Sequence, residues 1–329
     1  MVNGDRLFLR EIKRVGQKVI DSDGLLQSSD REAWRMVADV VVNWILLLVV
    51  IGNLPYVASI PLGFALVIRL FNCMAQLSHG CGHGNVFTSP RLNVWTGRLC
   101  SAAMGYGFDG HGGVHLDHHQ YLNTPKDGDV SWGRPDQTRG ELLRGLVTDL
   151  LGFQAAKRFL QYFKSKKKKS TAGAQASLPG SIFLIAGVQA CVIAAFTGVG
   201  GPWAYFLFFA LPICTLYPFQ IRIRSLAEHH IVPGHDRFTT SWVVRNTEAS
   251  FIETQIIGPF YQNYHLEHHL FPTVPGYFLK RLNAKIRTEI VFDSQIQNSG
   301  YMAFLAAFLL GKFEPPQART DSSSESHAS

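Results

Sequence analysis

VVVNWILLLVVIGNLPYVASIPLGFALVI, residues 40–68, contains no Asp, Glu, Lys or Arg. Gly52, Asn53 and Pro55 break it in the middle, and a helix needs about 20 apolar residues to cross a bilayer. With its flanks the stretch reads as a helical hairpin, Trp34–Gly52 followed by Tyr56–Gln76. Arg35 and Asp39 lie near the start of the first helix and are expected at the interface.

A second uncharged stretch, 170–221, repeats the pattern. Gly198, Gly200, Gly201 and Pro202 interrupt it, which predicts spans over Ser181–Gly198 and Pro202–Ile221. The expected fold is therefore all-α and integral to the membrane, with four transmembrane helices in two hairpins. The amino terminus, the middle region from Leu77 to Gly180 and the carboxyl-terminal region then share one side. The run Lys166–Lys169 and the other charges lie there, while the loops near Asn53 and Gly200 carry none. By the positive-inside rule that side is cytoplasmic, and it is expected to form a helical cap.

The composition agrees with a membrane protein, 47% hydrophobic and only 17% charged. Two further apolar runs are too interrupted or too short to span. Leu92–Phe108 contains Arg98 and reads as an interfacial or re-entrant helix. Met302–Leu310 is expected at the interface. The first 31 residues mix Leu7, Leu9, Ile12, Val15 and Ile20 with basic residues, the pattern of an amphipathic helix on the membrane surface. They lack the apolar core of a cleaved signal peptide. The Ser-rich stretch from Pro315 is expected to be disordered. The net charge of +7 is assigned to orientation and anionic lipid headgroups, not to nucleic acid. Cysteines 73, 81, 100, 191 and 214 form no paired motif, as in a reducing compartment.

Twelve of the thirteen histidines lie between positions 79 and 269. They include the pair His79 and His83, the triplet His115, His118 and His119, and the triplet His265, His268 and His269. On a helix, residues three and four apart share a face, so each cluster aims several imidazoles at one point. Imidazole suits zinc, copper, iron or nickel. Coincidental core histidines are the alternative, but each buried imidazole would need its own polar partner. Eight donors exceed the four that one tetrahedral zinc takes, which points to two metals. A zinc protease would carry H-E-x-x-H, with a Glu to activate water; here the pair is His79-Gly80-Cys81-Gly82-His83. Asp117 and Glu267 fall inside the triplets, where carboxylates more often orient ligating imidazoles. Oxygen chemistry is thus favoured over hydrolysis, and spacing alone does not name the metal.

The segments H-G-C-G-H, H-L-D-H-H-Q-Y-L-N-T-P-K-D-G-D and N-Y-H-L-E-H-H-L-F-P-T-V-P closely resemble the histidine boxes of the membrane-bound fatty acid desaturases. The likeness runs from His79 to Pro275. It implies two iron ions held on the cytosolic face, and use of oxygen and two electrons on unactivated carbons of lipids. Carried over residue by residue, it implies His79, His83, His115, His118, His119, His265, His268 and His269 as iron ligands. In Arg222-Ile223-Arg224-Ser225-Leu226-Ala227-Glu228-His229 it implies His229 as a ninth, with His230 the competing candidate. His111 and His235 stay outside the set. Asn123, Asp127, Asp129 and Asn263 match family positions and are expected to hold imidazole tautomers, with turn capping as the alternative.

The resemblance implies a desaturase acting on an acyl chain, with 34–312 as its membrane domain between a polar segment, 1–33, and a tail, 313–329. Carotenoid ketolases and hydroxylases and other lipid hydroxylases use similar boxes and are the alternative. A membrane haem carrier would instead place its ligands inside the spanning helices. No H-P-G-G segment like that of a fused cytochrome b5 domain and no dinucleotide fingerprint is present. A separate donor, ferredoxin or cytochrome b5 with a reductase, is expected, drawn by the basic surface.

Overall fold

The computed structural model describes residues 2–122, 124, 126–127, 137–164, 178–230, 244–292 and 297–312. The predicted tail lies outside them. Among the described residues the chain is helical apart from two short strands. In chain order come α1 (Val2–Asp23), α2 (Asp30–Asn53), α3 (Tyr56–Gly82), α4 (Pro90–Ala103), α5 (Phe108–Tyr121), α6 (Arg139–Leu150), α7 (Phe153–Lys164) and α8 (Leu178–Gly200). A π-helical turn (Phe206–Ala210) then leads into α9 (Leu211–Cys214) and α10 (Leu216–His229). Beyond it lie β1 (Asn246–Thr247), α11 (Phe251–Ile256), α12 (His265–Leu270), α13 (Leu279–Glu289), β2 (Gln297–Asn298) and α14 (Tyr301–Leu309). The strands pair in parallel, Asn246 with Gln297 and Thr247 with Asn298.

Four segments are long and apolar enough to cross a bilayer: Asp30–Asn53, Tyr56–Gly82, Ser181–Gly200 and Phe206–His229. The first is stopped at its start by Ser29, whose side chain accepts from the Glu32 amide, an N-cap. The fourth begins later and ends later than Pro202–Ile221, and it is not one smooth helix. Pro212 and Pro218 have no N–H to return to the preceding turn, and Thr215 between them leaves helical geometry (φ −124°, ψ −70°). The π turn and this break absorb the missing bonds.

The spans pack through aromatic rings and small residues. Phe209 stacks on Trp44 and Tyr205 and meets Phe71 and Phe196 edge-on. A Cβ on Gly63 would stand 2.8 Å from the Phe208 ring, so a larger residue would force that ring to shift. Side-chain amides inside the layer find acceptors within the protein, as hydrocarbon favours. Asn43 donates to the Leu66 carbonyl at 2.9 Å, and Asn72 donates to the Gln220 side chain and the Ile256 carbonyl.

The helix α4, with 14 residues, is shorter than a span needs. It packs against α3 and α8, and the Gln189 amide of α8 donates at 2.9 Å to the carbonyls of both Ala102 and Ala103. Carbonyls at a helix end lack partners in their own helix, and Gln189 supplies one from a spanning helix.

The reading of α1 needs correction. It is amphipathic, but its apolar side faces the protein: Ile12, Val15, Val19 and Ile20 form a core with Leu266, Phe271, Leu279, Leu282 and Ile286. Periodicity shows that a helix has an apolar face, not whether membrane or protein covers it. A third core joins α6, α10 and α14 through Leu142, Leu146, Ile223, Leu226, Tyr301, Phe304 and Phe308. The predicted interfacial run at Met302–Leu310 is α14, with Met302 and Leu310 exposed. All five cysteines are free.

Candidate metal centre

Each histidine cluster sits at a helix end. His79 lies in the last turn of α3 and His83 caps it, the first triplet ends α5, His229 ends α10, and the second triplet makes up half of the six-residue α12. The positions four apart meet as helix geometry requires: the Nε2 atoms of His115 and His119 are 2.8 Å apart, and those of His265 and His269 are 3.2 Å apart. The middle histidine of each triplet, three from the first, turns the other way.

Two groups result. In the first, Nε2 contacts run from His83 to His115 (3.1 Å), His115 to His119 (2.8 Å), His119 to His268 (3.0 Å) and His268 to His79 (2.9 Å). In the second, His265 contacts His229 (2.9 Å) and His269 (3.2 Å), and donor atoms of His118, His229 and His269 lie within 4.8 Å of one another. Both triplets divide alike: the i,i+4 pair stays in one group and the middle histidine joins the other. The groups adjoin where the His119 and His269 rings lie 4.4 Å apart.

These contacts are not a hydrogen-bond network. A ring nitrogen offers either one N–H or one lone pair, so each can complete only one bond. Of the four contacts in the first group at most two are then hydrogen bonds. The rest oppose like with like unless a cation lies where the lone pairs converge. Two imidazole nitrogens bound at right angles to one ion, at about 2.1 Å each, stand about 3 Å apart. The residues therefore fit two metal ions, one among His79, His83, His115 and His268 and one among His118, His229 and His269, with His119 in contact with the first group and His265 with the second.

Burial keeps the rings in the form that binds metal. Desolvation, with the neighbouring imidazoles second, pushes His83 down to about 3 and holds His119, His265, His268 and His269 well below the usual histidine range. Charged imidazolium is disfavoured inside the cap, so the lone pairs stay available.

The polar neighbours fall in several places. Asp127 meets His118 Nδ1 with both carboxylate oxygens, at 2.9 and 3.0 Å. Asn263 donates instead to the Thr247 carbonyl at 2.9 Å, so its amide stitches the approach to α12 onto β1. Asn123, Asp129 and His235 lie outside the described residues, as does the His111 side chain. His230 is buried beside the rings of Phe304 and Phe308, turned away from the cluster, whereas His229 is within it.

Sequence reasoning missed the brace behind the third cluster. Glu267 is fully buried and accepts from Asn246 and Asn283, each at 2.7 Å, while Asn246 also accepts from the Leu266 amide. Burial raises the Glu267 carboxyl to about 7 against the pull of both amides. It also missed Asp149, which holds Arg222 through two bonds at 2.5 and 3.1 Å. The sequence marks Glu267 as a carboxylate inside its triplet but does not point to Asn246 or Asn283, and Asp149 stands as an isolated acid in an apolar stretch.

The family model for fatty acid desaturases matches residues 55–297. The chain is 32% identical over 103 residues to the dihydrorhizobitoxine desaturase of Bradyrhizobium elkanii, covering 31% of this chain and 26% of that protein. It is 24% identical over 246 residues to the sn-1 acyl-lipid omega-3 desaturase (ferredoxin) of Synechocystis sp., covering 69% of this chain and 67% of that one. With a family match across most of its length, and with the spans and helix-end histidines in hand, the chain belongs to the fatty acid desaturase family.

Proposed function

We propose that this protein is an oxygen-dependent di-iron desaturase that introduces a double bond into a fatty acyl chain or related lipid drawn from the bilayer. The observation that carries the reading is the convergence of nine imidazoles in two adjoining groups, contributed by the ends of two membrane-spanning helices and by the shorter helices α5 and α12. His79, His83, His115, His119 and His268 would hold one ion, and His118, His229, His265 and His269 the other. Iron bound there supplies the redox chemistry with oxygen that removing hydrogen from an unactivated methylene requires.

The protein's own residues do the positioning. Asp127 accepts a hydrogen bond from His118 Nδ1–H and leaves the Nε2 lone pair facing inward. Glu267, clamped between Asn246 and Asn283, fixes the pitch of α12 and with it three imidazoles. Desolvation keeps the rings neutral and water away from the reacting carbon. The cluster lies on the side that carries the charged regions, which the positive-inside rule makes cytoplasmic. Electrons would come from a separate protein; the Synechocystis relative's name specifies ferredoxin, and the basic surface suits an acidic donor.

The test is expression in a host whose lipids and carotenoids are profiled by mass spectrometry, with His268→Ala as the inactive control. Loss of two hydrogens from an acyl chain, absent in the control, is the expected product. Gain of one oxygen would assign the protein to the hydroxylases, and unchanged lipids would overturn the reading.

A further inference from the structure

The carboxylate of Glu228 sits directly before His229 and is 3% exposed. One oxygen is committed: Oε1 accepts from Arg224 Nε at 2.8 Å and from the Tyr301 hydroxyl at 2.9 Å. The other, Oε2, lies 3.7 Å from His265 Nδ1. The opposite edge of that ring is the one turned to the cluster, with Nε2 against His229 and His269. His265 is 5% exposed, and its Nδ1 has no hydrogen-bond partner among the described residues. A buried N–H without a partner is costly, and the oxygen 3.7 Å away that would relieve it belongs to a carboxylate already held by two donors.

We propose that Glu228 is a positioning residue of the four-histidine group: Oε2 is placed to accept a hydrogen bond from His265 Nδ1–H, and Arg224 and Tyr301 hold the carboxylate for that purpose. The inference rests on the two-ion reading above. Asp127 shows the same device closed at His118, at 2.9 Å. With both in place, two of the four imidazoles in this group have a carboxylate behind them, which fixes the tautomer and makes each a stronger donor. A buried ion pair is a weak source of net stability, so Arg224 and Glu228 do not account for themselves as structure alone. Tyr301 opens α14, about seventy positions along the chain from Glu228. It thereby ties the carboxyl-terminal helix to one metal position.

The test is cobalt(II) titration of the metal-free, full-length protein in detergent, followed by visible absorption. It compares wild type, Glu228→Gln, Tyr301→Phe, His265→Ala and the double variant Glu228→Gln/His265→Ala. Wild type is expected to take two ions. Glu228→Gln should take one as wild type does and the other about 10- to 100-fold more weakly. Tyr301→Phe, which keeps the carboxylate and the core volume, should weaken the same ion by a smaller factor. The double variant should bind no worse than His265→Ala, because the two residues act as one unit. Wild-type affinity for both ions in Glu228→Gln and Tyr301→Phe, or losses that add in full in the double variant, would overturn the assignment while leaving the two-ion reading intact. A wild-type protein that takes fewer than two ions would overturn both.

Discussion

Arg69 donates to both carboxylate oxygens of Asp39, at 2.7 and 2.9 Å. Asp39 is the last charge before the uncharged stretch of the first hairpin and Arg69 the first after it. The two helices thus enter and leave the apolar layer at one level, closed by an ion pair that Gln255 of α11 also joins at 3.2 Å. Asp39→Ala leaves the Arg69 charge without its partner. It should destabilise the detergent-solubilised protein by about 2 kcal/mol, within the range for hydrogen bonds to charged groups. Asp39→Ala/Arg69→Met should recover most of that loss. Thermal unfolding of the three proteins checks it, and equal losses in both variants would contradict the pairing.

The crossing of α3 and the fourth span depends on the absence of a side chain at Gly63. Gly63→Val should cost about 1–3 kcal/mol through overpacking against Phe208. Adding Phe208→Leu should return part of it. A Gly63→Val protein that unfolds as wild type does would show that the helices meet elsewhere.

Asp127 is placed to hold the tautomer of His118. Asp127→Asn should lower affinity for one metal by about 10- to 100-fold and reduce turnover in parallel. If Asp127→Ala kept full metal content and turnover, its part would shrink to capping the turn after α5.

His229 and His230 are adjacent in sequence and opposite in environment. His229→Ala should cut metal content and abolish turnover. His230→Ala should keep the metals and lose about 1–3 kcal/mol of stability from the packing it shares with Phe304 and Phe308. Metal analysis and thermal unfolding of the two variants separate these outcomes, and the reverse pattern would exchange their places.

Much of this arrangement is legible in the chain because its determinants are local. Uncharged stretches with glycine and proline breaks define the hairpins, and the three- and four-residue histidine spacing defines which rings converge. The choice of His229 over His230 needed the end of α10, where adjacent side chains diverge by about 100°. What stayed hidden joins distant positions: Glu228 with Tyr301, Glu267 with Asn283, Asp149 with Arg222. Each residue alone reads as an ordinary polar side chain, and only packing brings the partners together. The face of α1 was misassigned for the same reason, since bilayer and α13 reward the same periodicity.

The central claim, that nine histidines hold two irons, is tested most directly by counting. Full-length protein loaded anaerobically with ferrous iron and freed of excess should contain two irons per chain by elemental analysis. His268→Ala, from the five-histidine group, and His269→Ala, from the four-histidine group, should each retain fewer. A wild-type count of one or none, or two irons retained in both variants, would contradict the account.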